Sequence, residues 1–178
     1  MNLEFWILNL YTFVQELTTK ITKKMNLDIL KPTLADDEKY MRQAINEARQ
    51  ALAKEEIPIG AVVVCGGRVI GRGHNLSETL GDATAHAEMQ ALTAAATSLG
   101  GKYLPECTLY VTVEPCVMCA GASAWCQVGR VVWGADDPKR GSTCYSPSLF
   151  HPRTKVTRGV LATECEAMMT EFFKKLRR

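Results

Sequence analysis

The chain has 178 residues, of which 47% are hydrophobic and 22% charged, which fits one globular domain with a short appendage. Its net charge of +2 is uneven, because residues 139–178 hold nine Lys and Arg against three Glu. A basic C-terminal segment favours a polyanionic partner such as RNA, although a solvated helix end has the same composition. No apolar run approaches the roughly eighteen residues of a membrane span. Seven cysteines without a signal peptide argue against a secreted disulfide framework and favour the reducing cytoplasm.

Residues 1–35 differ in pattern from the rest of the chain. Apolar residues recur at helical spacing from Leu3 to Ile21, which predicts an amphipathic helix. We therefore expect an N-terminal extension over residues 1–35 and a main domain over residues 36–178. The extension is either an added helix that packs on the domain or on a partner, or sequence upstream of a true start at Met25.

The main domain alternates helical and strand patterns. The predicted elements are, in chain order, a helix near 37–54, strands 61–65 and 68–74 joined by a Gly-Gly turn, a helix 84–99, a strand 108–113, a helix 116–127, strands 131–133 and 155–159 separated by a long surface loop, and a helix 163–176. An opening hairpin followed by alternating helices and strands predicts an α/β fold, with a mixed five-stranded sheet covered by helices on both faces.

Cys116 and Cys119 follow Pro115 at the predicted start of a helix, where the helix dipole favours thiolates. Such a Cys-x-x-Cys pair alone fits half of a structural zinc site or a redox pair. A closed structural site needs a fourth protein ligand, but the chain has only three histidines and no second Cys-x-x-Cys. Two thiolates and one histidine leave one position open, as in catalytic zinc sites, where the metal lowers the pKa of a water molecule towards neutrality.

His86 and Glu88 are two positions apart, and such side chains point apart in the middle of a helix. They can serve one site only at a helix end, and Asp82 or Thr84 is the expected cap that places His86 in the first turn. We expect His86 to bind zinc with the two cysteines, and Glu88 to move a proton from water to a ring nitrogen. His-x-Glu followed by Pro-Cys-x-x-Cys is the signature of zinc deaminases.

Longer stretches around these motifs carry a family resemblance over residues 37–178. They are Ile57-Pro58-Ile59-Gly60-Ala61-Val62, His74-Asn75, Thr84-Ala85-His86-Ala87-Glu88, Glu114-Pro115-Cys116-Val117-Met118-Cys119-Ala120-Gly121-Ala122, Gly129-Arg130-Val131-Val132-Trp133-Gly134-Ala135 and the closing Phe172-Phe173 helix. In these stretches the chain resembles the bacterial tRNA-specific adenosine deaminases (the TadA family) of the cytidine deaminase-like superfamily. Residues 1–35 have no counterpart in that resemblance.

The resemblance implies a three-layer α/β/α cytidine deaminase-like fold with one Zn²⁺ per subunit. It implies a cytoplasmic enzyme that hydrolyses the wobble adenosine of a tRNA anticodon to inosine, and a homodimer that holds the anticodon stem-loop with residues of both subunits. Asn75 matches a family asparagine that contacts the target nucleoside, and Asp137 matches an acidic residue that touches the RNA backbone. Ala85 and the stretch near Ile57 are expected to line the base pocket.

Several residues keep two interpretations. Asn75 is either a substrate contact or a turn residue that satisfies loop backbone. Glu114 either orients the cysteine loop or is an ordinary charged strand end. Trp125 and Trp133 lie in apolar patterns, which favour a prediction as core residues over a role in base stacking.

The zinc signature leaves more than one function open. The leading interpretation is a tRNA adenosine deaminase. The same signature serves salvage enzymes that deaminate guanine or cytosine, as free base or nucleoside. A non-catalytic zinc-binding module is a third interpretation, which Glu88 and the open coordination position disfavour.

Overall fold

The computed structural model describes residues 33–145 and 148–177. The elements of this part of the chain are α1 (Leu34–Ala53), β1 (Gly60–Cys65), β2 (Arg68–His74), α2 (Ser77–Leu80), α3 (Ala87–Leu99), β3 (Cys107–Val113), α4 (Val117–Trp125), β4 (Arg130–Ala135), a 3-10 turn (Ser142–Cys144), β5 (Lys155–Arg158) and α5 (Ala162–Leu176). The helix predicted between Leu3 and Ile21 and the alternative start at Met25 lie outside the described residues.

The five strands form one mixed sheet in the order β2-β1-β3-β4-β5. β1 pairs antiparallel with β2 and β3, whereas β3–β4 and β4–β5 are parallel. Because parallel strands end at the same edge of a sheet, the segments that follow β3 and β4 emerge side by side. The Cys-x-x-Cys segment and the loop after Ala135 therefore meet at one edge.

Helices cover both faces of this sheet. On one face α1 packs through Met41 and Ile45, and α5 through Cys165. On the other face the core includes Ala91 of α3 and Ala120 of α4. The predicted three-layer α/β/α fold is confirmed. None of the helices in the described part of the chain is long and apolar enough to cross a membrane.

Two glycines of β2 determine how closely α3 lies on the sheet. A Cβ at Gly71 would lie 2.3 Å from the carbonyl oxygen of Ala91, and one at Gly73 would lie 2.3 Å from that of Ala87. Only glycine permits such an approach of two backbones. The first residue of α3 is thereby held against the end of β2, which brings His86 close to Asn75.

The two tryptophans have different environments. Trp133 is 1% exposed, stacks on Phe150 and donates a hydrogen bond from Nε1 to Asp136 Oδ1 (2.7 Å). Trp125 is 86% exposed at the end of α4, so its prediction as a core residue is wrong. An apolar pattern on a helix does not by itself distinguish a core-facing residue from an exposed one.

Candidate active site

The site is built where two helices begin. His86 is the N-cap residue of α3 and Cys116 is the N-cap residue of α4, and both have extended backbone. The cap predicted at Asp82 or Thr84 is therefore wrong: Asp82 Oδ1 instead accepts hydrogen bonds from the backbone N–H and hydroxyl of Thr84 (2.8 and 2.7 Å) in a local turn. The general expectation, a site at a helix N-terminus, agrees with the structure.

His86, Cys116 and Cys119 offer three ligand atoms that all lie within 4.8 Å of one another. His86 Nδ1 lies 3.6 Å from Cys116 Sγ and 3.5 Å from Cys119 Sγ. Tetrahedral zinc, with bonds of about 2.3 Å to sulfur and about 2.0 Å to nitrogen, separates such ligand atoms by about 3.6 Å. The donor set and its spacing therefore fit zinc.

The electrostatics of the three groups favour a thiolate. The hydrogen bond from the Cys119 thiol, together with that from His86, lowers the pKa of Cys116 to about 4. The same contact raises the pKa of Cys119, and the hydrogen bond to Cys116 raises the pKa of His86 above its ordinary value. A sulfur that is ionised at neutral pH is the form that binds a metal.

Glu88 lies in the first turn of α3 and is only 3% exposed. Burial raises the pKa of its carboxyl to about 7. A general acid–base works best when its pKa is close to the operating pH. Glu88 lies close enough to His86 and Cys116 for their charges to act on the pKa of its carboxyl, so a proton carrier lies beside the ligand residues.

A cleft of about 730 Å³ opens over this constellation. Ile57, Asn75, His86, Glu88 and Cys116 line its inner end, so the base of a nucleoside placed there would lie next to Glu88. Ala85 is 2% exposed and is absent from the described residues that line the cleft. Its contact with substrate stays a prediction.

Asn75 is 3% exposed, and its Nδ2 donates hydrogen bonds to Glu56 Oε2 (2.9 Å) and to Ser77 Oγ (2.8 Å). A carboxylate only accepts hydrogen bonds, so the amide must turn its NH₂ group towards Glu56. No described residue donates a hydrogen bond to Asn75 Oδ1. Since every fully buried side-chain oxygen or nitrogen of the described residues has a hydrogen-bond partner, Oδ1 is not fully buried. Asn75 lines the cleft, so Oδ1 is reached from there.

The loop after β4 forms another wall of the cleft, with Asp136, Asp137, Pro138, Lys139 and Arg140. Buried Glu114 holds this loop, because its carboxylate accepts hydrogen bonds from three loop residues. Glu114 is therefore not an ordinary charged strand end, and the loop that it holds is the one after β4 and not the cysteine loop of the other interpretation. Asp137 lines the cleft, but its Oδ1 accepts hydrogen bonds from the N–H groups of Lys139 and Arg140, so its RNA contact stays a prediction.

Sequence reasoning missed two parts of the site. One face of α5 lines the outer cleft through Met169, Thr170 and Phe173, whereas the sequence pointed only to the basic end of that helix and to Phe172-Phe173 as part of the family resemblance. Glu56, the partner of Asn75, is the second of two consecutive glutamates before Ile57 and belongs to no motif that would single it out.

Residues 34–135 match the family model of the cytidine and deoxycytidylate deaminase zinc-binding region. The tRNA-specific adenosine deaminase of Bacillus subtilis (strain 168) is 46% identical over 150 residues, which cover 82% of this chain and 93% of the relative. The chloroplastic tRNA(adenine(34)) deaminase of Arabidopsis thaliana is 40% identical over 159 residues, which cover 78% of this chain and 12% of that protein.

Solved structures show the same relationship. One from a study of A-to-I editing by tRNA:A34 deaminases superposes with a TM-score of 0.68 at 40% identity, covering 72% of this chain and 97% of the other. A guanine deaminase from Nitrosomonas europaea superposes with a TM-score of 0.65 at 26% identity, covering 76% and 83%. With its His86, Cys116 and Cys119 cluster, the chain belongs to the tRNA-specific adenosine deaminases of the cytidine deaminase zinc-binding superfamily.

Proposed function

We propose that this protein is a zinc-dependent hydrolase that converts the wobble adenosine of a tRNA anticodon to inosine, with release of ammonia. One observation carries the proposal: His86 and Cys116 of a three-ligand metal site line one cleft together with the buried Glu88. The relatives named tRNA adenosine deaminases support the choice of substrate.

His86, Cys116 and Cys119 would hold the zinc ion. When bound, zinc lowers the pKa of a water molecule towards neutrality and so supplies the nucleophile. Glu88 accepts a proton from the attacking water and passes it to a ring nitrogen of adenine. The ionised Glu88 then takes the second proton of that water, from the hydroxyl now bonded to the ring carbon, and gives it to the amine as the carbon–nitrogen bond breaks. One water is therefore consumed and one ammonia released for each inosine formed. The buried position of Glu88 keeps bulk water from competing for this proton.

The outer part of the cleft suits a polynucleotide better than a free base. Lys139, Arg140 and Arg177 lie along it together with the apolar side chains of Met169 and Phe173. Cationic groups attract phosphates, and apolar and aromatic side chains accept flipped or unstacked bases. We therefore expect binding of an anticodon stem-loop to weaken steeply as the salt concentration rises.

A substrate panel tests the proposal. The zinc-loaded protein is incubated with tRNA-Arg that carries adenosine at the wobble position, and separately with free adenine, guanine and cytosine. Inosine in the tRNA is the expected product, and a tRNA with guanosine at the same position is the matched control. Xanthine from guanine, with no inosine in the tRNA, would overturn the proposal in favour of a salvage enzyme. A zinc-loaded protein that gives no product from any substrate would instead support a non-catalytic module.

We also propose a homodimer that uses the surface of α3 and α4. Trp125 is 86% exposed, and Met89, Leu92, Ala122 and Cys126 line a nearby hollow of about 270 Å³. An exposed aromatic side chain beside an apolar hollow is typical of a protein–protein contact. Sedimentation should show a dimer that Trp125→Glu converts to a monomer. A variant that sediments like the wild type would rule out this surface.

The remaining assignments follow from the proposed reaction. We propose the cytoplasm as its location, because tRNA occurs there and a reducing compartment keeps zinc-binding thiols free. We further propose that residues 36–178 form the deaminase domain and that residues 1–35 are an extension. A chain that begins at residue 36 should keep its zinc and its turnover, and loss of both would show that the extension belongs to the domain.

A further inference from the structure

Glu56 is a buried carboxylate beside the cleft that the proposed reaction does not use. It is 0% exposed and lies just before Ile57, which lines the cleft. Its Oε1 accepts a hydrogen bond from the backbone N–H of Thr79 (2.7 Å), and its Oε2 accepts one from Asn75 Nδ2 (2.9 Å). Burial of a carboxylate is costly unless such hydrogen bonds compensate.

Glu56 is ionised in this environment. Burial opposes its ionisation, but hydrogen bonds from Thr79, Glu78 and Asn75 outweigh burial and lower the pKa of the carboxyl below its usual value. A charged carboxylate has no proton to donate, so both of its oxygens act only as acceptors.

The ionised carboxylate of Glu56 determines the orientation of the neighbouring Asn75 amide. Asn75 can satisfy Glu56 only through its NH₂ group, whose second proton goes to Ser77 Oγ. The amide oxygen is then the atom left for the cleft. An asparagine without such a partner could turn over and present a donor instead.

We propose that Glu56 is a positioning residue for the deamination reaction: it holds the Asn75 amide so that Oδ1 accepts a hydrogen bond from the target nucleoside. This inference rests on the proposed function for the identity of the substrate. The site therefore selects a nucleoside with a donor opposite Asn75, and adenosine offers its exocyclic amine and its ribose hydroxyls.

The Glu56→Gln variant reverses this arrangement without changing the size of the side chain. The Gln oxygen must face the N–H of Thr79, so the new NH₂ group faces Asn75. Asn75 then turns its own oxygen towards Gln and its NH₂ group towards the cleft. A donor replaces the acceptor, and we expect kcat/KM for the anticodon stem-loop to fall roughly tenfold or more.

The inference also predicts a rescue. In Asn75→Asp alone, the new carboxylate lies beside that of Glu56 and the two repel each other, so kcat/KM should again fall. In the double variant Glu56→Gln with Asn75→Asp, the Gln NH₂ donates to one Asp oxygen and the other oxygen faces the cleft. We expect kcat/KM of the double variant to lie within roughly threefold of the wild-type value. This is far higher than the kcat/KM expected if the losses of the two single variants simply multiplied. Losses that simply multiply would overturn the proposal.

Asp37→Asn is the matched control. Asp37 is another buried carboxylate, but it pairs with Arg130 and Tyr110, and Arg130 begins β4, at the edge of the sheet opposite the site. We expect Asp37→Asn to lower stability, to keep kcat/KM within about twofold, and not to rescue Asn75→Asp. Rescue by Asp37→Asn would mean that any loss of buried charge suffices, which would overturn the proposal.

A measurement on the wild-type protein separates this inference from the proposed function. The Asn75 side-chain amide signals are assigned by their loss in Asn75→Ala, and their exchange with water is measured by NMR. Two hydrogen-bonded protons should exchange much more slowly than those of an exposed asparagine, and fast exchange would overturn the inference. This result does not depend on whether the RNA is deaminated, whereas absence of inosine would overturn the proposed function alone.

Discussion

The contact between Glu114 and the loop after β4 can be tested with one isosteric substitution. Glu114 is 4% exposed, and its Oε2 accepts a hydrogen bond from the N–H of Asp137 (3.0 Å). Its Oε1 accepts hydrogen bonds from the Ser142 hydroxyl (3.2 Å) and the Thr143 N–H (2.7 Å). Glu114→Gln leaves only one acceptor oxygen for these donors. If that oxygen stays with Thr143, the new NH₂ group faces the N–H of Asp137.

The expected change in free energy follows from the number of hydrogen bonds that Glu114→Gln loses. Loss of a hydrogen bond to a charged group, with an N–H left unpaired, costs about 1.5–3 kcal/mol. That corresponds to roughly a 10- to 150-fold shift in the equilibrium between the ordered loop and its open states. Because Lys139 and Arg140 belong to this loop and line the cleft, we expect KM for the stem-loop to rise roughly tenfold. The zinc content and kcat should change little.

Steady-state kinetics of inosine formation and amide hydrogen exchange of residues 137–143 provide the measurements. The matched control is Glu47→Gln, since Glu47 is also a buried carboxylate but pairs with Arg72 and His74. A wild-type KM and wild-type loop protection in Glu114→Gln would show that Glu114 does not hold the loop. An equal rise of KM in both variants would also refute this role of Glu114, because the effect would then reflect general destabilisation.

Three further predictions concern the site and its support. Glu88→Ala should lower kcat by about 10²- to 10⁴-fold while elemental analysis still finds one zinc per chain, because Glu88 is not among the three ligand residues; undiminished turnover would contradict its role. Cys119→Ser should lose zinc and denature at a lower temperature, as should the wild type treated with a chelator, and an unchanged zinc content would rule out Cys119 as a ligand. Gly73→Ala should lower the free energy of unfolding, measured by urea titration, by about 1–3 kcal/mol, since its Cβ would lie 2.3 Å from the carbonyl oxygen of Ala87. The control Gly101→Ala, where nothing lies within 4 Å of the new Cβ, should leave the free energy of unfolding nearly unchanged.

The sequence is most informative where the chemistry depends on local spacing. His86 and Glu88, and likewise Cys116 and Cys119, are close in the chain, and each pair needs only a helix N-terminus to converge. Hydrophobic periodicity was sufficient to predict the sheet and its covering helices. The exact start of α3 could not be predicted, because Asp82 forms a turn with Thr84 and His86 takes the cap position.

Other parts of the site depend on contacts between distant segments. Glu56 and Asn75 are 19 positions apart, and Glu114 reaches residues 23 to 29 positions away. Glu56 belongs to no motif, and although Glu114 directly precedes the Pro-Cys-x-x-Cys motif, that motif does not predict its partners in the loop after β4. A buried carboxylate cannot be distinguished from an exposed one without its tertiary partners. The exposure of Trp125 is a similar case, because its helix has apolar residues on more than one side.

Residues in short local motifs and residues that act through contacts between distant segments have different roles in this protein. Zinc binding and proton transfer need groups fixed within a few ångströms, and two neighbouring helix N-termini supply them from short segments. Substrate choice needs a shaped cleft, whose walls come from the segments before β1 and after β2, the loop after β4 and α5. Glu56 and Glu114 each support one of these walls by accepting hydrogen bonds, Glu56 from Asn75, and Glu114, which itself lines the cleft, from the loop after β4. Substitutions at the helix N-termini should therefore abolish the reaction with any substrate, whereas substitutions at these two glutamates should change which substrates are accepted and how well they bind.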